Sequence, residues 1–112
     1  MQRTSTLWYS AEYSTFSISD EAGNYQLAVD GYSGDSGDSL RNSFSASGQM
    51  FSTYDRDNDQ CGGYNCAAGD GGAWWFACCA RGNINYDSNA AWGDDNHPAA
   101  DVTTSHVLVR IN

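Results

Sequence analysis

Apolar and polar residues alternate most cleanly near the start of the chain. Ala11-Glu12-Tyr13-Ser14-Thr15-Phe16-Ser17-Ile18 is rich in aromatic and β-branched residues, which predicts a strand. Asp20-Glu21-Ala22-Gly23-Asn24 reads as a turn. Tyr25, Leu27 and Val29 then alternate with Gln26, Ala28 and Asp30, the pattern of a half-buried strand. Gly31, Gly34 and Gly37, spaced by small polar residues up to Asp38, predict an irregular loop. Ser39 to Gln49 is small and polar, with a short helix or none. Met50-Phe51-Ser52-Thr53-Tyr54 is a short strand, and Val107-Leu108-Val109-Arg110-Ile111 predicts a strong closing strand.

The stretches from Asp55 to Trp75 and from Asn83 to Ala100 read as loops. Trp74-Trp75-Phe76 is too bulky to stand in water as a block and predicts core. The fold class expected is therefore α+β, mostly β and irregular: a small antiparallel sheet with a long loop region. No repeat or linker divides residues 1–112, a length that suits one domain. Long ordered loops need something besides backbone ladders to hold them, and they commonly carry function. The cysteines and carboxylates are the available means.

Cys61, Cys66, Cys78 and Cys79 are clustered and even in number, in an acidic chain rich in Gly, Asn and Ser. That pattern favours disulfides in an oxidising compartment, with three possible connectivities. Zinc is disfavoured, because there is no C-x-x-C and His97 and His106 fall outside finger spacing.

The formal net charge is −9, and the cations are five scattered arginines with no lysine. Nucleic acid and anionic membrane surfaces, which need clustered positive charge, are disfavoured as partners. No apolar run approaches the ~20 residues of a membrane span. The stretch from Met1 to Tyr9 lacks the apolar region of a signal peptide, so secretion is not read from these residues.

Surplus carboxylate suits a divalent cation. Asp55-Arg56-Asp57-Asn58-Asp59-Gln60-Cys61-Gly62-Gly63 alternates acids ahead of two glycines, which let carbonyl groups turn inward. It is not an EF-hand, because Gln60 and Cys66 stand where that loop has Gly and Glu. Spacing alone leaves a calcium loop and a solvated acidic turn both open.

The run from Met50 to Asp59, then Asn65-Cys66-Ala67, Gly72-Ala73-Trp74-Trp75-Phe76, Cys79 and Asn83-Ile84-Asn85, resembles the signature of the fibrinogen C-terminal domain family. Ala11 to Phe16, Asp20-Glu21-Ala22, Tyr25-Gln26-Leu27, Gly31 to Leu40 and Val107 to Arg110 match it as well. The resemblance implies a longer domain, of which residues 1–112 correspond to a partial, C-terminal portion. The resemblance implies calcium held by the side chains of Asp57 and Asp59 and by carbonyls near Cys61 and Gly63. It implies a Cys66–Cys79 disulfide closing the loop. Cys61–Cys78 is then the choice for a second bridge, since a bond between the neighbours Cys78 and Cys79 would be strained, the alternative being two free thiols or one used for pairing between molecules.

In the family's ficolin- and tachylectin-type lectins, a pocket beside this loop takes acetyl groups of sugars. Here the amides holding the acetyl oxygen would belong to Cys79 and Ala80. Asp70 would line the pocket, and Tyr86 and Trp92 would wall it, packing being the other reading of those two rings. Ala80 stands where the family commonly has His, and the segment from Asn85 to Trp92 is shorter than usual. The function expected is thus a secreted, calcium-binding recognition module for acetylated glycans of pathogen surfaces. The alternative is an angiopoietin- or tenascin-like module that binds an extracellular protein, with oligomers formed through segments not present. Catalysis is not expected, because neither His97 nor His106 has a nucleophile at a telling spacing.

Overall fold

The computed structural model describes residues 2–3, 8–41, 45–80, 83–85, 91–92 and 100–110. Along the chain run β1 (Gln2–Arg3), β2 (Ala11–Ile18), a 3₁₀ turn (Glu21–Gly23), β3 (Leu27–Gly34), β4 (Phe51–Ser52), α1 (Cys66–Asp70), β5 (Trp74–Trp75), β6 (Ala91–Trp92) and β7 (Ala100–Thr104). Among the described residues the strands form three small antiparallel sheets, ordered β1-β7-β6, β2-β3 and β4-β5.

The β2–β3 hairpin pairs Ala11 with Gly34 at one end and Ile18 with Leu27 at the other. Asp20 caps the 3₁₀ turn between them, its Oδ1 accepting the Gly23 N–H at 3.1 Å. β3 runs on into residues expected to form a loop. Gly31 has φ +73°, and a Cβ there would lie 1.8 Å from the Ser14 hydroxyl oxygen. Glycine here permits a close strand approach rather than breaking the strand.

Two further expectations are corrected. Val107, Leu108 and Val109 belong to no strand and are 72%, 93% and 59% exposed. High β propensity needs a partner strand and a face to pack on. The strand in this part of the chain is β7, ahead of that run, and its first residue, Ala100, falls at the end of the expected loop. Within the expected loop from Asp55 to Trp75 stands a short helix, α1. Asn65 caps its start by accepting the Ala68 N–H on Oδ1 at 3.2 Å, and Gly71 ends it at φ 79°.

The core joins β3 to the region after β4. Leu27, Val29, Leu40, Ala46, Cys66, Ala67, Trp74, Phe76 and Trp92 form one buried cluster. Trp74 and Phe76 are thus core, as their bulk predicts, while Trp75 is only half buried.

Candidate functional site

The acidic loop is anchored on both flanks. At its start, Thr53 and Arg56 exchange backbone hydrogen bonds of 3.1 and 3.0 Å. Asn58 reaches back to β4: its N–H donates to the buried Ser52 hydroxyl at 3.0 Å, and its Nδ2 to the Phe51 carbonyl at 3.0 Å. At the far side the Gln60 N–H donates to the Ala77 carbonyl at 2.9 Å, and Asn65 Nδ2 donates to the Tyr54 carbonyl at 3.0 Å.

Between these anchors the carboxylates organise the backbone. Asp57 is exposed, and its Oδ1 accepts the Asp59 N–H at 3.2 Å. Asp59 is half buried and accepts twice, from the Cys61 N–H on Oδ1 and from the Cys66 N–H on Oδ2, both at 2.9 Å. A carboxylate offers about four lone-pair directions, so Asp59 keeps acceptor capacity after these bonds. The Cys61 carbonyl accepts the Tyr64 N–H at 3.2 Å. Gly63 has φ +83° with nothing near its Cβ position, a turn that suits glycine. The carboxylates of Asp57 and Asp59 and the carbonyls of the glycine turn are hard oxygens, the donor type that calcium takes.

The four sulfurs pair as Cys61–Cys78 and Cys66–Cys79. The sulfurs of Cys61, Cys66 and Cys79 lie within 4.8 Å of one another. Because all three are disulfide-bonded, they offer no thiolate to a metal.

Cys79 has φ 33°, rare for a residue with a Cβ. Its N–H donates to Cys66 Sγ at 3.3 Å, and its carbonyl accepts the Ala77 N–H at 3.0 Å. Ala80 follows, half buried. The loop and this turn therefore meet through the Cys66–Cys79 bridge and the Gln60–Ala77 hydrogen bond.

The other expected pocket residues fare differently. Trp92 is 5% exposed, and its indole N–H donates to the Gly37 carbonyl at 2.8 Å. Its ring is core packing, the other of its two readings, and not the wall of an open pocket. Asp70 is the last residue of α1, and its side chain lies outside the described set. Tyr86 lies outside the described residues. The reading of sequence missed Ser52, Asn58 and Asn65 as the anchors of the loop. The signal for Asn65 was present: an N-cap amide residue ahead of Cys66-Ala67-Ala68, with Gly71 beyond.

Among the described residues, no helix is long and apolar enough to cross a membrane. The family model for the C-terminal globular domain of fibrinogen beta and gamma chains matches residues 1–106. Fibrinogen-like protein 1 of Bos taurus is 42% identical over 83 residues, covering 67% of this chain and 26% of that protein. Ficolin-3 of Homo sapiens is 46% identical over 76 residues, covering 67% and 24%. Tenascin of Gallus gallus is 42% identical over 87 residues, covering 78% and 4%. Among solved structures, the fibrinogen-like globe domain of human ANGPTL2 superposes with TM-score 0.70 at 36% identity, covering 80% of this chain and 41% of that one. Lamprey fibrin D-dimer, in complex with the peptide Gly-His-Arg-Pro-amide, gives TM-score 0.71 at 28% identity, covering 79% and 32%. The chain spans about a quarter of the length of the first of these relatives.

Proposed function

The chain belongs to the fibrinogen C-terminal globular domain family, and on that premise we propose that it is an extracellular, non-catalytic recognition module that binds calcium and holds acetylated groups of glycans at the Cys79–Ala80 turn. One connected path supports this reading. Asp59 Oδ2 accepts the Cys66 amide, Cys66 is bridged to Cys79, and the Cys79 amide rests on the Cys66 sulfur. Calcium held by Asp57 and Asp59, with carbonyls of Cys61 and Gly63, would fix the carboxylate end of that path. Bound there, the ion supplies positive charge that offsets the crowding of carboxylates.

At the other end, sulfur is a weak acceptor. The Cys79 N–H therefore gains by exchanging it for the carbonyl oxygen of an acetyl group, with the Ala80 N–H as a second donor. Recognition through backbone donors needs a rigid turn, and the bridges provide one.

Thermal unfolding with calcium and with EDTA tests the ion. A dissociation constant on the order of 10⁻⁴–10⁻³ M suits an extracellular module. At ~10 mM calcium that gives about 1–3 kcal/mol of stabilisation. Asp57→Ala should abolish the shift, and wild-type melting that ignores EDTA would remove calcium from the proposal. Retention on N-acetylglucosamine beads in calcium, with release by chelator, tests the turn.

A second reading, a module for a protein ligand without a sugar pocket, is favoured by one observation: Trp92 is buried and supplies no wall. The lamprey fibrin neighbour was solved with a peptide ligand. An intact calcium shift with no retention on acetylated beads selects this reading over the first.

A further inference from the structure

We propose that the cleft between the 3₁₀ turn and the acidic loop is a second ligand site, one that takes a sugar ring carrying a carboxylate. The cleft holds about 320 Å³ and is lined by Asn24, Tyr25, Phe51, Thr53, Arg56 and Asn58. It shares no residue with the Cys79–Ala80 turn or with the proposed calcium ligands.

Its apolar part is a braced pair of rings. Phe51 meets Trp75 edge to face, with centroids 5.1 Å apart. The Trp75 indole N–H donates at 2.8 Å to the carbonyl of Tyr25, the other ring of the lining. One tryptophan thus supports both walls, yet Tyr25 remains 44% exposed. Asn24 and Tyr25 are consecutive left-handed residues, at φ 56° and 54°. Asn24 is the C-cap of the 3₁₀ turn and asparagine tolerates this conformation, but tyrosine does not, so the backbone is strained at Tyr25 and must be held by its surroundings. The Asn24 carbonyl accepts the Phe51 N–H at 2.9 Å, and the Tyr25 N–H donates to the Asp20 carbonyl at 3.1 Å. Strain maintained at a half-exposed aromatic in a cleft points to ligand use.

The polar part defines the ligand. Arg56 has its N–H and C=O engaged with Thr53, but among the described residues its guanidinium makes no ion pair or hydrogen bond. Its neighbour Asp55 is bonded instead to the Thr53 hydroxyl at 2.7 Å. An unpaired guanidinium in a chain of net charge −9 is a ready fork for a carboxylate from outside. Asn58 donates its Nδ2 to the Phe51 carbonyl, which leaves its Oδ1 to accept. Asn24 Nδ2 rests on the Met50 sulfur at 3.3 Å, a weak acceptor that a hydroxyl can replace. A pyranose bearing a carboxylate matches the set: acid on Arg56, hydroxyls on the two amides, C–H face on the rings. A simple aromatic acid would satisfy Arg56 and the rings but leave the amides without a gain.

The test is a titration of the full chain followed by tryptophan fluorescence and backbone amide shifts. EDTA is present throughout, so that chelation by a loop-bound ion cannot imitate binding. Methyl glucuronide should bind about tenfold tighter than methyl glucoside, with shifts centred on residues 24–25 and 51–58. Arg56→Gln should erase that preference while keeping the wild-type melting temperature, since the turn uses only Arg56 backbone. Tyr25→Ser should weaken both sugars alike. Equal binding of the two sugars, an unchanged preference in Arg56→Gln, or shifts centred elsewhere would overturn the site. Benzoate binding as tightly as the glucuronide would overturn the sugar assignment. Retention of Arg56→Gln on acetylated beads in calcium reports the Cys79–Ala80 turn separately, so the two proposals fail independently.

Discussion

The β2–β3 hairpin and the stretch from Phe51 to Ala80 hold their shapes by different means. The hairpin is regular, paired from Ala11–Gly34 to Ile18–Leu27, yet β2 buries no residue and β3 buries only Leu27 and Val29. The later stretch has two strands of two residues and one helix of five, yet it buries Ser52, Cys66, Ala67, Trp74 and Phe76. Its backbone groups are satisfied by Asp59, Asn58 and Asn65 side chains, and its path is fixed by two disulfides. Backbone regularity and burial are separate sources of order here. The region nearest the candidate site depends on the second.

The sharpest way to break the contrast is at its most buried ring. Phe76→Ala should destabilise by about 3–5 kcal/mol in urea unfolding, because Phe76 is 0% exposed and truncation leaves a cavity. A loss below about 1 kcal/mol would mean the site collapses freely and the packing is not decisive.

Removing the inner clamp comes next. Cys66→Ser with Cys79→Ser opens a bridge of sequence separation 13. The expected cost is about 3 kcal/mol on the loop-entropy estimate. Hydrogen exchange sharpens the point: amides from 61 to 80 should lose protection while those of β2 and β3 keep theirs. Equal loss in both would show one cooperative unit instead of two modes of support.

The hairpin has its own weak point at high pH. Burial and the hydrogen bond from the Tyr13 hydroxyl to Asp38 Oδ1, 2.7 Å, raise the Tyr13 pKa above that of a free phenol. Below about pH 10 both states keep the proton. Above it the unfolded chain ionises first, so the folded state loses stability as pH climbs towards the raised value. Unfolding midpoints measured between pH 9 and ~11.5 should fall for wild type and fall less for Tyr13→Phe. The smallest effect is expected on the outer face: Phe16→Thr, at a position 44% exposed, should change stability by no more than about 0.5 kcal/mol.

These differences track what a sequence can show. The bounds of β2 were legible because a period of two is a local property of Ala11 to Ile18. The end of β3 was not, because whether Gly31 breaks a strand or admits Ser14 depends on the partner chain segment. α1 was hidden by its length but signalled by its caps, Asn65 and Gly71. Of the closing strand expected at Val107–Ile111, the described residues 107–110 form none, because propensity supplies no partner. In the candidate site the alternation of Asp57 and Asp59 was visible. Their bonds to the amides of Cys61 and Cys66 were not, nor was the fate of Trp92, whose partner Gly37 is 55 positions away.

The two bridges interlock, one joining 61 to 78 and the other 66 to 79. Any single backbone cut between Cys61 and Cys79 therefore leaves the fragments covalently joined. Gly62, Gly63 and Tyr64 are exposed and form the natural point of attack for a protease. A molecule nicked there would migrate as one species until reduced, so digestion followed by gels run with and without reductant would separate damage from loss.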